Sequence, residues 1–535
     1  MKWLVFWLAL LPASAAWAVL TDSLTIGNAR AVSLGNAVTA DPPGIDSIHF
    51  NPAGLARLQG RQAHLKVVGA TFGIDLTFGE YNDERQRYLD QKQALGIFDD
   101  AYFFDEAHRS SSETEGATLM LPIFGMTDIP VLLAPLGGAS YRPEDSAITY
   151  ATNVYAPMMV GFHRADDDPG RWIGQRLAFS VLTYFSPSFA FAVNDEWSIG
   201  AALTFNYAGI GIELPFRSPH IGIEFLGELQ YQVCPDLLPF ICGGQLGLYD
   251  ALGTLEFEVD APLTLGFNAG VLWQPQPWLT FGAVYQAPIP MQMSGDFTWV
   301  NGTSWNAFIG ELAQTPGYDA VGSLLGVLGW SLPQGQTRTE GKATLDMQMP
   351  EHLALGMSVQ VTPRIKLNVD YKYTGWSDWD SIPVEFSESI DFLRLAQIVQ
   401  PDLVGPGGTG LTFPLGLEDS WNWALGMEYQ WNDNLVLRAG IEDRPSSIPD
   451  SANSPLLPIG SGQLYGVGFG WQPNQRTDVD MALGYFSTSV FMPGGSSELG
   501  NSTNPLLVIY NPYAGTDVTA DMTAIMLEFS YVQHF

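Results

Sequence analysis

Residues 263–285 read LTLGFNAGVLWQPQPWLTFGAVY, and the alternation in that stretch decides the fold. Every odd position from 263 to 273 is apolar (Leu263, Leu265, Phe267, Ala269, Val271, Trp273), while the even positions include Thr264, Gly266, Asn268 and Gly270. Residues 274–277 turn the chain, and Leu279, Phe281, Ala283 and Tyr285 continue the apolar set against Thr280 and Gly282. A two-residue period puts alternate side chains on opposite faces of a strand, so this is a β-hairpin with one apolar side.

The same unit recurs along the chain. Residues 353–361 and 365–373 alternate around a turn at 362–364, 421–431 and 435–441 around 432–434, 465–471 and 479–485 around 472–478, and 177–193 and 197–207 around 194–196. Five hairpins give ten strands, residues 65–78 and 525–535 add two, and a weakly alternating pair falls between 117 and 163, for an expected total of fourteen. A soluble β-sandwich would bury these apolar faces inward. Two features favour a membrane barrel instead: long loops join the hairpins while the turns inside them are short, and the apolar faces end in Trp273, Tyr373, Trp421, Trp431 and Trp471, as in interfacial aromatic girdles. The even faces, rich in Gly, Asn, Asp and Gln, then line a wet lumen. Closure satisfies every backbone group within lipid. The expected fold is an all-β transmembrane antiparallel barrel.

Composition agrees. The 535 residues carry 23 Lys+Arg against 56 Asp+Glu, a net charge of −33 from only 15% charged residues, below the roughly 25% of a soluble domain. With 46% hydrophobic residues the chain is no disordered acidic tail, and it has no basic run to neutralise nucleic acid. The 56 glycines and 36 prolines suit many strands and turns. Residues 1–18 read as an export signal: Lys2, a short apolar run, Pro12, then Ala16-Trp17-Ala18 as the cleavage site. In an exported chain the two cysteines, Cys234 and Cys242, form one local disulfide, since zinc would need further ligands. The chain ends in Phe535, preceded by Leu527, Phe529 and Tyr531, although Gln533 interrupts the alternation.

Residues 19–61 do not alternate and are rich in Gly, Ala, Asn and Pro, which suits a plug for a lumen of this width ahead of a barrel over 62–535. Within them, Ser33-Leu34-Gly35-Asn36-Ala37 followed by Phe50-Asn51-Pro52-Ala53-Gly54-Leu55 resembles the hatch of the FadL/TodX family of outer-membrane transporters of hydrophobic compounds. Pro350-Glu351-His352-Leu353, the run from Asp370 through Tyr373 to Trp376, Trp423-Ala424-Leu425-Gly426 and Arg438-Ala439-Gly440 resemble the family's strand blocks. The resemblance implies a monomer in the outer membrane of a Gram-negative bacterium, among lipid and lipopolysaccharide. It implies passive uptake of long-chain fatty acids or hydrocarbons: capture by extracellular loops, passage to a pocket beside the hatch, and sideways exit through the wall. It also gives Gly35, Asn51, Pro52 and Ala53 to the hatch, where the alternative for Asn51-Pro52 is an ordinary turn.

Other residues are singled out on their own chemistry. The long segments 208–262 and 288–350 are the expected capture loops. The second carries Trp305, Phe308 and Leu312, then Leu324, Leu325, Leu328 and Trp330, at spacings compatible with short helices that either expose a ligand-binding face or bury it between loops. Pro187 interrupts an alternating run and marks either a lateral gate or a harmless bulge. The run Asp166-Asp167-Asp168 reads as a solvated turn or, less simply, a divalent-cation site. No His-Glu-x-x-His or Gly-x-Ser-x-Gly motif occurs among the seven histidines and the serines, so neither an enzyme nor a cofactor is expected. Gly466, Gly468 and Gly470 sit on a lumen face and do not match a nucleotide loop. Two other readings compete with the transporter: a general diffusion porin or surface receptor for polar solutes, and a protein whose apolar loops bind a partner.

Overall fold

In the computed structural model, residues 26–96, 98, 100–172, 174–219, 223–224, 246–314, 318–327, 331–504, 507 and 509–535 are described. Fourteen antiparallel strands close into a barrel. In chain order they are β1 (Arg61–Tyr81), β2 (Leu132–Tyr141), β3 (Ile148–His163), β4 (Arg176–Phe185 continued by Ser188–Ala192), β5 (Trp197–Arg217), β6 (Ala251–Gln276), β7 (Leu279–Gln286), β8 (His352–Thr362), β9 (Ile365–Thr374), β10 (Ser420–Asn432), β11 (Leu435–Arg444), β12 (Gly462–Asn474), β13 (Thr477–Met492) and β14 (Thr516–His534). The ring is sealed by β1 and β14, paired from Gln62↔His534 to Tyr81↔Thr516. The weakly alternating pair proves to be β2 and β3. At one end the turns are tight and internally capped: Asn194 Oδ1 accepts from Trp197 N at 2.8 Å, and Asn432 Oδ1 from Asn434 N at 2.9 Å. No described helix is long and apolar enough to cross a membrane, so the crossing falls to the strands.

The wall changes polarity along its height. In the membrane band the outward residues are apolar, Leu263 at 58% and Leu265 at 50% exposure, and the inward Thr264 and Asn268 are buried. Above the band the pattern inverts. On β5 the apolar residues switch from odd positions (Ile199, Leu203) to the buried even positions Ile210, Ile212, Leu214 and Phe216, while Glu213 points outward beside Glu256 of β6. On β6 a bulge between Ala261 and Thr264 does the same for Leu255, Phe257 and Val259.

This inversion corrects the expected loop boundaries. The two ends of each of the segments 208–262 and 288–350 are wall: β5 and β6 continue through 208–217 and 251–262, and Ile289–Asn301 pairs with Arg338–Met349 to extend β7 and β8 upward. Strands with an inward apolar face in water escape a reading tuned to lipid-facing alternation.

The raised rim encloses one continuous apolar core. Helices α1 (Ala29–Ser33) and α2 (Ser47–Phe50) belong to the N-terminal segment, α3 (Asp83–Ala94) follows β1, and α4 (Thr303–Ala313), α5 (Tyr318–Gly326) and α6 (Asp391–Val399) come from the loops. Phe392 of α6 stacks on Trp299 with ring centroids 5.4 Å apart and 2° between planes. Each such side chain contributes about 1.5–3 kcal/mol through burial.

Candidate functional site: hatch, cavities and wall window

Residues 26–58 fill the lower lumen. Asn28 starts α1 by accepting from Ala31 N through Oδ1 at 2.9 Å. Gly35 then turns the chain at φ +58°, where a side chain would be strained and its Cβ would meet the Ile441 backbone at 2.6 Å. The facing wall is glycine too: a Cβ at Gly440 would lie 2.0 Å from Leu34 C, and one at Gly466 would lie 1.8 Å from Val32 O. Gly270 and Gly200 make the same room for Asn51 and Pro52. Gly200, Gly440 and Gly466 are therefore a seat for the hatch backbone; of the glycines spaced by two, Gly468 faces the Ser33 side chain and Gly470 faces Arg438 and Asp480 of the wall.

Asn51-Pro52-Ala53 works as both cap and bolt. Asn51 Oδ1 accepts from Ala53 N at 3.2 Å and opens the 3-10 helix Pro52–Arg57, in which Pro52 loses nothing because the first N–H is unpaired anyway. Asn51 Nδ2 donates to Thr39 O at 2.9 Å and to Val271 O of β6 at 3.2 Å. On the opposite wall Asp370 Oδ2 accepts from Val38 N and Thr39 N, both at 2.8 Å, and from Thr39 Oγ1 at 2.7 Å.

Ion pairs complete the attachment. Asp46 is fully buried, with Lys66 Nζ at 2.6 Å and Asn153 Nδ2 at 2.5 Å. Burial alone would raise the Asp46 carboxyl, but Lys66, His64 and the hydrogen bonds from Lys66 and Asn28 outweigh it and hold the group below the usual carboxylate range. Asp41 is likewise held down against burial by Arg30, Lys366 and Arg57. Arg30 reaches on to Glu428 of β10 at 2.9 Å.

Above the hatch lies a small cavity bordered by His49, Tyr155, Pro157, Asn206, Asn268 and Trp376, among others. Higher in the rim a second small cavity lies among Phe413, Leu417, Ile448, Leu456, Leu499 and Tyr510. A larger vestibule, about 580 Å³, opens beneath the hatch, so the hatch separates the upper cavity from the lower mouth.

The wall has a window beside the upper cavity. β2 and β3 pair only from Tyr141↔Tyr150 to Gly137↔Val154, leaving residues 132–136 of β2 and the β3 segment around Tyr155 and Pro157 without a shared ladder. Above the gap the short strand Ser111–Glu113 adds to β1, and Gly116 bridges to His163, restoring the wall. The hairpin Ala117–Leu121 with Gly125–Ile129 continues along the outer face, its Met120 and Met126 over Gly209 and Gly211.

Pro187 sits one strand over, in the break within β4. There Ser186 Oγ replaces the ladder, accepting from Asn153 N at 2.9 Å and donating to Asn153 O at 2.8 Å, and Pro187 O accepts from Leu203 N at 3.1 Å.

The loop residues divide. Trp305 and Phe308 of α4 are buried in the rim core, Trp305 packing against Phe392 at 6.0 Å, so they face inward and not toward water. Leu324 of α5 is 69% exposed. Leu312 lies in α4 and Leu325 in α5; Leu328, Trp330, Cys234 and Cys242 lie outside the described residues, as do residues 1–25. Asp166 and Asp168 cap a turn, accepting from Gln175 Nε2 at 2.8 Å and Gly170 N at 2.6 Å. Among the described residues no group of three or more His, Cys, Asp or Glu is placed to hold a metal. Sequence reasoning missed the Asp370 clamp, α6 and the β2–β3 window. Phe392, Leu393 and Ala396 carried a helical signal for α6; the other two depend on long-range pairing.

A closed barrel, a seated hatch and a side window define a plugged membrane barrel. The chain belongs to the family of outer membrane transport proteins described as OMPP1/FadL/TodX, whose model matches residues 6–532. It is 20% identical over 306 residues to the long-chain fatty acid transport protein of Escherichia coli (strain K12), covering 55% of this chain and 58% of that protein. It is 22% identical over 299 residues to the Salmonella typhi protein of the same name, covering 55% and 57%. It thus spans little more than half the length of these curated relatives. Among solved structures it is similar to a Pseudomonas aeruginosa FadL homologue (TM-score 0.65, 16% identity, 97% of this chain and 100% of that one). It is also similar to the Pseudomonas putida toluene transporter TodX (0.60, 14%, 98% and 100%) and the Ralstonia pickettii toluene transporter TbuX (0.57, 16%, 96% and 99%). At these identities the likeness is one of fold.

Proposed function

We propose that this protein carries hydrophobic small molecules passively across the outer membrane of a Gram-negative bacterium, acting as a monomer and without catalysis. The observation that carries the reading is the unpaired stretch between β2 and β3, next to a cavity whose floor is the hatch. A molecule there has lipid to one side and a sealed lumen below. The apolar rim cavity serves as the capture site, and exit into lipid gains about 0.8 kcal/mol per methylene, which a watery lumen would not provide. Gly35 and Asn51-Pro52-Ala53 keep the hatch seated. Pro187 acts as part of the gate: at its break in β4 the Ser186 hydroxyl stands in for the ladder to Asn153, whose side chain reaches Asp46 of the hatch. The relatives' names, fatty acid transport and toluene transport, support the substrate range.

The test is uptake of labelled long-chain fatty acid and of toluene by cells carrying the protein, against a version lacking residues 20–56. Saturable uptake of either compound is expected. No uptake, with ion conductance unchanged by the deletion, would move the protein to the porin class.

A further inference from the structure

The two cavities share a chemical property: among the described residues, neither is lined by a lysine or arginine. In the rim cavity the polar lining groups are Ser454 and Tyr510, and the Tyr510 hydroxyl already donates to Thr412 O at 2.9 Å. Above the hatch the lining offers Thr183, Thr204, Asn206, Asn268, Gln286 and Thr374 beside two histidines, His49 and His352, and no Lys or Arg. An adjoining cavity that shares His49, Gln286 and His352 does contain Lys372 and Arg444. Both are occupied by one buried carboxylate: Lys372 Nζ lies 2.8 Å from Glu442 Oε1, and Arg444 Nη2 lies 2.9 Å from Glu442 Oε2. Asn36 and Asn422 also donate to Glu442, at 3.0 and 2.8 Å. Both cations belong to the wall, with Asn36 as the hatch's own contact to Glu442, and they cannot both turn to a ligand without leaving Glu442 buried with no counter-charge, which is strongly unfavourable. The chain's net charge of −33 adds a field that opposes an approaching anion.

We infer that the route selects uncharged hydrophobic molecules, with at most one neutral hydrogen-bonding group, over ionised carboxylates of the same chain length. The amide nitrogens of Asn206, Asn268 and Gln286 are already donated to Thr204, Ile48 O and His49 O, so what the upper cavity offers is a carbonyl acceptor such as Gln286 Oε1: a hydroxyl can donate to it, whereas a carboxylate there gives up its water and meets neither a donor nor a counter-charge. This inference rests on the transport reading and narrows its substrate class to hydrocarbons, alcohols and phenols.

The experiment uses the full protein in nanodiscs of uncharged lipid at pH 8, above the ordinary histidine range. The neutral dye N-phenyl-1-naphthylamine is displaced by dodecan-1-ol, by dodecanoate and by toluene, with empty nanodiscs subtracted. The alcohol is expected to displace the dye at a concentration at least about tenfold below that of dodecanoate, the factor equivalent to about 1.4 kcal/mol. Thr374→Lys, which puts a cation into the cavity, should narrow that gap to within about threefold. Dodecanoate displacing as well as the alcohol from the parent protein would overturn the selectivity and leave the transport reading standing. Displacement by none of the three compounds would overturn both.

Discussion

Asp370 offers the sharpest test of how the hatch is held. Its Oδ2 atom takes three hydrogen bonds from the hatch, two of them from the backbone N–H groups of Val38 and Thr39, and the residue is 1% exposed. Asp370→Ala leaves both N–H groups buried without an acceptor, at about 1–3 kcal/mol each, or about 2–6 kcal/mol together. At about 1.4 kcal/mol per tenfold, the fraction of time the hatch is unseated rises roughly 30- to 20,000-fold. Asp370→Asn keeps a carbonyl oxygen in place and should cost about 1 kcal/mol. Single-channel recording in planar bilayers reads the difference directly: rare openings in the parent, a modest rise in the Asn variant, frequent large openings in the Ala variant. Asp296→Ala removes an exposed carboxylate paired with Lys342 on the rim and serves as the control. If Asp370→Ala is as silent as Asp296→Ala while the Val38 and Thr39 amides stay equally protected from hydrogen exchange, the clamp does not hold the hatch.

Other outcomes follow from the same geometry. Gly466→Val drives a side chain into Val32 O, so it should expel the hatch and raise conductance, whereas Gly310→Val, with open space around it in α4, should leave conductance unchanged. Pro187→Val should restore a regular β4 ladder and slow uptake of a hydrophobic tracer several-fold with the barrel still folded; unchanged uptake would remove Pro187 from the gate. Asp46 and Asp41 have folded-state carboxyls held below the ordinary range, so their contribution to hatch seating is complete above about pH 4, the unfolded value, and is lost as pH falls through the lowered one. Conductance should therefore stay low from neutrality to about pH 4 and rise below it. A rise between pH 7 and 5 would point to other groups.

Much of the barrel was legible because lipid imposes a rule that single residues reveal. Trp273, Leu263 and Leu425 face hydrocarbon, and alternation around tight turns placed the strands. The rule fails where the solvent changes. On β5 the apolar set shifts parity at Tyr207 and Ala208 although the strand runs on, so sequence reading ends the strand there and assigns wall to loop. The hatch motif was legible as a motif, and Pro187 as a break. What Gly440, Gly466 and Asp370 face was not, because each meets a backbone hundreds of residues away. Trp305 and Phe308 showed helical spacing, but spacing does not say whether the apolar side turns to ligand or to core; Trp299 and Phe392 decide that.

The β1–β14 seam fixes the order in which the molecule is assembled. The hatch is joined to β1 by only a few residues after Arg57, so it is synthesised before any strand, yet its contacts are spread over strands from β1 to β14. The ring can close only when Thr516–His534, the final strand, meets the first one. Until then the sheet has two open edges, each a template for pairing with another chain, and closing it joins the two most distant parts of the sequence, the slowest kind of contact to form. Because the hatch emerges first, each of its buried ion pairs and glycine contacts becomes available only as the strand that carries its partner arrives, so the seating of the plug and the closing of the ring draw on the same late-made strands.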